Sequence, residues 1–220
     1  MAEGTVLAPE LEELLRLRND CWYFAQKCVW TRDEVDKWSP IKKYPDWEYL
    51  HLLMVLMGKE SLLALVKHRR MLVTWTACVV GTHDAMFNEE RRIGYVSKKE
   101  EDSDDLVRRC KFILDNIPPN ALSIPKPKYH YKYTELSFPE IGSVIKGYPE
   151  GDDQLRQYGH SRIFADEMAF WDKAREAYSA MRPTIQGGGQ ICLFSTRYPG
   201  FFQEVIEDKI EEGNVGAFSS

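Results

Sequence analysis

The most constraining stretch of this chain is Ser161-Arg-Ile-Phe-Ala-Asp-Glu-Met-Ala-Phe-Trp171. Ile163, Phe164 and Ala165 read as the end of a buried strand, and Asp166 and Glu167 stand where that strand would stop. Two adjacent carboxylates at the end of a buried strand are costly unless something uses their charge. A helical pattern comes next, with Trp171, Ala174, Tyr178 and Met181 on one face. The plainer alternative is a strand end at which Asp166 caps the helix and Glu167 is solvated.

The chain has 220 residues, 44% hydrophobic and 29% charged, enough to bury one large α/β core. A formal net charge of -5 argues against a uniformly basic nucleic-acid wrapper, though not against a local basic surface. The five cysteines (21, 28, 78, 110, 192) show no metal-ligand spacing, and their odd number does not suggest a disulfide framework. Cys78, Cys110 and Cys192 sit in apolar patterns, as small core residues do. The N-terminus lacks the basic and apolar regions of a signal peptide, and no uncharged apolar run approaches the length of a membrane span. An intracellular soluble protein is the expectation.

Read in order, residues 5 to 18 form an amphipathic helix, and Cys21 to Phe24 continue as a second helix or turn. Residues 39 to 47 are polar and Pro-punctuated, a surface loop. Tyr49 to Met57 reads as a buried helix closed by Gly58. Leu62 to Val66 is a short apolar run, consistent with a central strand, followed by Lys67 to Thr74 and then a helix through Val79, Val80 and Phe87. Ile93 to Ser97 is the next strand. Asp102 to Ile117 is a helix capped by Asp102 or Ser103 and stopped by Pro118-Pro119. Residues 120 to 132 are an exposed loop in which Lys126, Lys128 and Lys132 alternate with Tyr129 and Tyr131. That pattern suits either a solvated loop or contact with nucleic acid. Tyr133 to Phe138 and Ser143 to Tyr148 make a strand pair. Asp152 to His160 is a polar loop. Gly187 to Gly189 is a tight turn, Gln190 to Phe194 a strand, and Phe201 to Ile210 a final helix face.

Lys67, Arg69 and Arg70 bring three cations to a strand-to-helix junction, where a helix N-terminus adds free N–H groups and its dipole. That suits a phosphate site. The usual phosphate loop reads G-x-x-x-x-G-K-[ST]. Thr74 fits its last position, where a hydroxyl binds Mg²⁺, but Lys67 stands at the first Gly, and Leu72 and Val73 replace the second Gly and the Lys. A solvated basic loop is the alternative. About ninety residues downstream comes the acidic pair. In nucleoside triphosphatases a carboxylate so placed holds Mg²⁺ and its neighbour orients the attacking water.

The ordered set resembles the ATPase domain of the large terminase subunit, the DNA-packaging motor of tailed bacteriophages and herpesviruses. The resemblance runs from about Tyr23 to Gly200. Some members carry a variant loop, K-S-x-R-x-G-x-S, with its lysine at the start. Lys67-His68-Arg69-Arg70-Met71-Leu72-Val73-Thr74 matches it at Lys67, Arg70 and Thr74, and departs at Leu72, where the family has the Gly that lets backbone approach phosphates. Phe164-Ala165-Asp166-Glu167 looks like the family's Walker B stretch, and Phe194-Ser195-Thr196 like its coupling motif. Leu155-Arg156 is similar to its L-R-G segment, with Gln157 in place of the Gly.

The resemblance implies an α/β P-loop NTPase fold of the ASCE/RecA-like kind, with a helical segment over about 1–58 and the core over about 59–220. ATP and Mg²⁺ are the implied cofactors. Residues 67–74 would bind nucleotide, with Lys67 and Arg70 on the β- and γ-phosphates, and Thr74 and Asp166 on Mg²⁺. Glu167 would polarise the attacking water, Ser195 and Thr196 would report hydrolysis, and Arg156, with Arg162 as the next candidate, would reach a neighbouring subunit's ATP. The implied partners are double-stranded DNA, a portal protein and the small terminase subunit, in a homo-oligomeric ring in the host cytoplasm. The isolated domain is expected to be monomeric, with no membrane partner. The family's nuclease domain finds no room before Ser220, so an ATPase-domain fragment or a stand-alone ATPase is expected. A helicase-like translocase and a non-hydrolysing nucleotide-binding module are the rival readings.

Overall fold

The computed structural model describes residues 8–33, 35–122 and 125–211, with side chains through 208. Residues 5 to 7 of the first expected helix, residues 123–124 of the basic loop and the Ile210 side chain lie outside the described residues. Helices α1 (Pro9–Asn19) and α2 (Cys21–Cys28) lead into a ribbon of β1 (Trp30–Arg32) and β2 (Ile41–Lys43). That ribbon crosses part of the expected 39–47 loop, because Trp30 to Arg32 pairs antiparallel with Ile41 to Lys43. Helix α3 (Glu48–Lys59) runs one residue past Gly58. The alternating core continues as β3 (Leu62–Val66), α4 (Val73–Phe87), β4 (Arg92–Ser97) and α5 (Glu100–Asp115). The antiparallel strands β5 (His130–Lys132) and β6 (Glu135–Phe138) lead to β7 (Ser143–Pro149). A short helix α6 (Gln154–Gln157) precedes β8 (Arg162–Asp166). Then come α7 (Ala174–Met181), α8 (Pro183–Gln186), β9 (Gln190–Ser195) and α9 (Phe201–Glu211).

Among the described residues seven strands form one sheet in the order β3-β9-β8-β4-β7-β6-β5. The five strands from β3 to β7 in that order are parallel, and β6 and β5 extend the sheet antiparallel. Both faces are covered. Phe164, Cys192 and Phe194 pack with α2 to α5 on one side, while Ile163, Ala165, Ile191 and Leu193 pack with α6, α7 and α9 on the other. Alternating residues of the same strand are thus all apolar, as expected of a parallel sheet buried on two faces. The N-terminal helices share the first core through Leu17, Phe24 and Ala25. Helix α5 lies directly on β7, where a Cβ on Gly147 would stand 2.9 Å from the Ser103 carbonyl oxygen. The Cys78, Cys110 and Cys192 thiols are buried and free.

Several expectations are corrected. Leu62–Val66 is an edge strand of the sheet rather than a central one, and its Leu62, Ala64 and Val66 face is only half-buried. Helix α5 starts at Glu100, with Lys99 rather than Asp102 or Ser103 at its cap, and Ser103 instead donates to the Glu100 carbonyl. Tyr133 and Thr134 form the turn between β5 and β6, and the Thr134 amide is held by the buried Asp104. Both tyrosines and Lys126 of the 120–132 stretch are tied down, while Lys128 and Lys132 are exposed as expected. Tyr131 donates to Asp104 at 2.9 Å, Tyr129 bonds Asp115, and Lys126 donates to the Leu114 carbonyl at 2.9 Å. The helix expected straight after the acidic pair begins only at Ala174, behind a 3-10 turn over Met168–Phe170. Glu150 accepts from the Asp172 and Lys173 amides just ahead of that later start.

Candidate functional site

Strand register assembles the site. Val66 lies beside Ser195, and Asp166 beside Phe194, so three neighbouring strands end in one layer. A polar residue succeeds each strand end: Lys67 after β3, Glu167 after β8 and Thr196 after β9. In open parallel sheets the crevice outside the carboxyl ends is where ligands bind. The Lys67 amide donates to the Ser195 carbonyl at 2.9 Å and the Glu167 amide to the Phe194 carbonyl at 2.8 Å, which carries the pairing one residue past β3 and β8.

The side chains converge. The Lys67 Nζ donates to Asp166 Oδ1 at 2.8 Å and to Thr74 Oγ1 at 3.1 Å, and stands 3.1 Å from Glu167 Oε1. Thr74 Oγ1 donates to Asp166 Oδ2 at 3.3 Å. Glu167 Oε2 accepts from the Ser195 hydroxyl at 3.1 Å, the Thr196 amide at 3.1 Å and the Thr196 hydroxyl at 3.2 Å. The coupling-motif pair is therefore bonded directly to the carboxylate expected to orient water. The Lys67 and Asp166 side chains are only 10% and 13% exposed, and Glu167 is 37% exposed. One ammonium therefore serves a shielded carboxylate and a half-buried one.

Burial is the largest influence on both acids, and it decides them differently. At Asp166 it outweighs the attraction of Lys67, with the Glu167 charge adding to it, and the carboxyl is held above the usual range. At Glu167 burial is outweighed by Lys67, the Thr196 amide and the Ser195 hydroxyl, and the carboxyl is held below it. The cluster carries an anionic excess that a further cation would relieve. Among the described residues no group of three or more His, Cys, Asp or Glu side chains could cage a metal. A hydroxyl and a carboxylate in contact do suit Mg²⁺, which keeps waters and substrate phosphates in its shell.

The loop over residues 67–74 adopts the backbone that glycine would favour without the glycine. Leu72 lies at the N-cap of α4 in the left-handed region, with φ 52 and ψ 14, and Arg70 has φ 70. Thr74 falls in the first turn of α4, while Val73, at the usual lysine position, is buried. His68, Arg69 and Arg70 are exposed on the crown, and Met71 is half-buried. Three supporting groups escaped the sequence reading. The Tyr49 hydroxyl donates to the Met71 carbonyl at 3.3 Å, the Phe194 ring lies 5.4 Å from the Lys67 ammonium, and the Trp171 indole donates to the Asp166 carbonyl at 3.0 Å. Only Trp171 carries a signal that could have found it, as a large polar-tipped ring soon after the acidic pair.

The two arginines are elsewhere. Arg156 on α6 lines a cavity of about 350 Å³ with His160, Ser161 and Gly187 to Gly189, at the amino ends of β8 and β9. Arg162 is buried against Asp84 at 3.3 Å and bonds the Met57 carbonyl, so it is a core ion pair with no reach to a nucleotide.

No known protein-family model matches the chain. Solved structures do. The HK97 bacteriophage large terminase superposes over 96% of this chain with a TM-score of 0.65 at 10% identity, and the chain spans 43% of that protein. The Thermus phage P74-26 large terminase ATPase domain gives 0.53 at 12% identity, covering 69% of this chain and 67% of that one. The large terminase of a thermophilic bacteriophage, in complex with ADP, gives 0.50 at 13% identity, covering 79% of this chain and 45% of that one. The chain carries the RecA-like P-loop fold of the phage large-terminase ATPase domains.

Proposed function

We propose that this chain is the ATPase domain of a viral DNA-packaging motor, which hydrolyses ATP to drive double-stranded DNA into a procapsid. The observation that carries the reading is the meeting of Lys67, Thr74, Asp166, Glu167, Ser195 and Thr196 at the carboxyl ends of three adjacent strands. Lys67 and Arg70 bind the β- and γ-phosphates as cations. The N-terminus of α4 offers amides to the same anion. Thr74 and Asp166 would hold Mg²⁺, which would neutralise the charge that develops on the phosphates. Glu167 is clamped on one oxygen by Ser195 and Thr196, and its other oxygen, 3.1 Å from the Lys67 ammonium, takes the proton of an attacking water once that ammonium moves to phosphate. Because that clamp is also the end of β9, a change at the γ-phosphate alters the strand that leads into α9. The Arg156 guanidinium serves a neighbouring subunit's ATP in a homo-oligomeric ring. The portal protein, the small terminase subunit and DNA are the partners of that ring in the host cytoplasm.

Glu167→Gln tests the reading. It keeps the hydrogen-bonding shape and removes the base. Hydrolysis should fall by about a hundredfold or more, as loss of a positioned base does, while ATP affinity by calorimetry stays near the parent's. Equal turnover by parent and variant would remove Glu167 from the chemistry. ATP binding by the parent with no Mg²⁺-dependent turnover would make the chain a nucleotide-binding module.

A further inference from the structure

We infer that the Lys67 ammonium occupies the metal position of its own site, so that divalent cation and nucleoside triphosphate bind as a unit and neither binds well alone. This rests on the nucleotide-site reading above. The ammonium is within 3.1 Å of three oxygens, one each from Asp166, Glu167 and Thr74. Two of those residues, Thr74 and Asp166, are the ones that fit Mg²⁺, and their side chains touch each other at 3.3 Å. An octahedral ion needs these oxygens at about 2.0–2.1 Å. With the ammonium on Asp166 Oδ1 and on Thr74 Oγ1, a metal entering there meets a second positive charge at its own ligands, which opposes its binding.

The position stems from where the lysine enters. An ordinary phosphate loop carries its lysine next to the Ser/Thr, on the helix side. Here that place is the buried Val73, and the lysine instead leaves the end of β3, its amide fixed to Ser195. From there the stem crosses the end of β9, over the Phe194 ring, to the acids of β8. A metal alone must displace an ammonium whose ion-pair partners among the described residues are these same two acids. A triphosphate alone draws the ammonium away and leaves the shielded Asp166 and the half-buried Glu167 without a cation. Together they satisfy every charge: Lys67 swings to phosphate on its flexible stem, and the metal takes the acids.

The test is Mn²⁺ binding to the whole chain without nucleotide, followed by electron paramagnetic resonance. The parent should bind Mn²⁺ weakly, and Lys67→Met, which keeps the stem and removes the charge, should bind at least about tenfold more tightly. Adding Asp166→Asn to that variant should abolish the gain. Thermal melting should show Mn²⁺ raising the Tm of Lys67→Met but not of the parent. Equal Mn²⁺ affinity in parent and Lys67→Met overturns the inference. If the variant does not fold, the parent alone decides by calorimetry. Its ATP affinity should be at least about tenfold lower in EDTA than in Mg²⁺, and equal affinities overturn the coupling. A parent that binds no ATP under either condition defeats the functional reading, while the Mn²⁺ comparison still judges Lys67.

Discussion

Arg70 and Leu72 hold left-handed backbone at φ 70 and φ 52, two positions apart in the same loop. A side chain in that region costs roughly 1–2 kcal/mol relative to glycine, and such strain persists where the surroundings or a function require it. Leu72 is half-buried against the α2–α5 core, which accounts for a side chain there. Arg70 is exposed and bonds nothing that would offset the strain within the described residues. Its charge is what the position retains. Arg70→Gly should therefore stabilise the fold by up to about 1 kcal/mol, after the entropy of glycine in the unfolded chain is subtracted, while weakening ATP binding. Urea melts beside calorimetry read the two effects. A variant that loses both stability and affinity would mean that Arg70 is held by contacts rather than by function.

At the scale of elements, the connection from β7 back to β8 crosses from one end of the sheet to the other and is pinned by His160. Its ring lies over Gly94 of β4, where a Cβ would stand 3.1 Å from His160 Cδ2, and its Nε2 pairs with the Tyr148 hydroxyl at 3.2 Å. Burial, helped by the nearby Arg92 charge, pushes the imidazole down to about 4. The unfolded chain, with its histidine near about 6.5, then binds more protons than the folded one between those two values. The contribution of this ring to stability is complete above about pH 6.5 and is lost as the pH falls towards about 4, by about 3 kcal/mol in all. Urea unfolding at neutral pH and again about two units lower should show the loss, and His160→Gln should flatten it. An unchanged slope in the variant would place the acid sensitivity elsewhere. The 39–47 and 120–132 connections contain short strands because pairing partners, Trp30 to Arg32 and Glu135 to Ser137, are supplied from outside the local pattern.

Across the whole molecule the parallel sheet has two chemically different ends. Lys67, Thr74, Asp166 and Glu167 gather at the carboxyl end, and Arg156 lies by the amino ends of β8 and β9. A strand the length of β8 spans about 16 Å, so Arg156 is out of reach of a nucleotide held at Lys67 of its own chain. The proposed finger role therefore requires a neighbour. Turnover per subunit should then rise with protein concentration or on assembly, and Arg156→Ala should abolish the rise without weakening ATP binding. A finger of this kind contributes roughly three to five powers of ten. A rate per subunit that is independent of concentration, and indifferent to Arg156→Ala in the assembled ring, would exclude the role.

The apolar runs of Arg162–Asp166 and Gln190–Ser195 were legible because a parallel strand buried on two faces is apolar on both, and Leu62–Val66 was legible as an apolar run although one of its faces is only half-buried. The residues that end them were legible because buried strands rarely run straight into adjacent carboxylates or cations. Local sequence also determined the amphipathic α5, although the helix ends at Asp115, short of the expected Ile117 and of Pro118-Pro119. Tertiary structure alone decided the rest. That β3 lies at the edge, that β9 comes between β3 and β8, and that Lys67 consequently reaches across to Asp166 are facts of strand order. Strand order is set by which faces the helices cover, and no window along the chain contains it. The left-handed Leu72 was likewise beyond local pattern, since its conformation is imposed by the strand and helix it joins. The same holds for the separation of Arg156 from the carboxylates, because the stretch between Arg156 and Asp166 runs the length of the sheet.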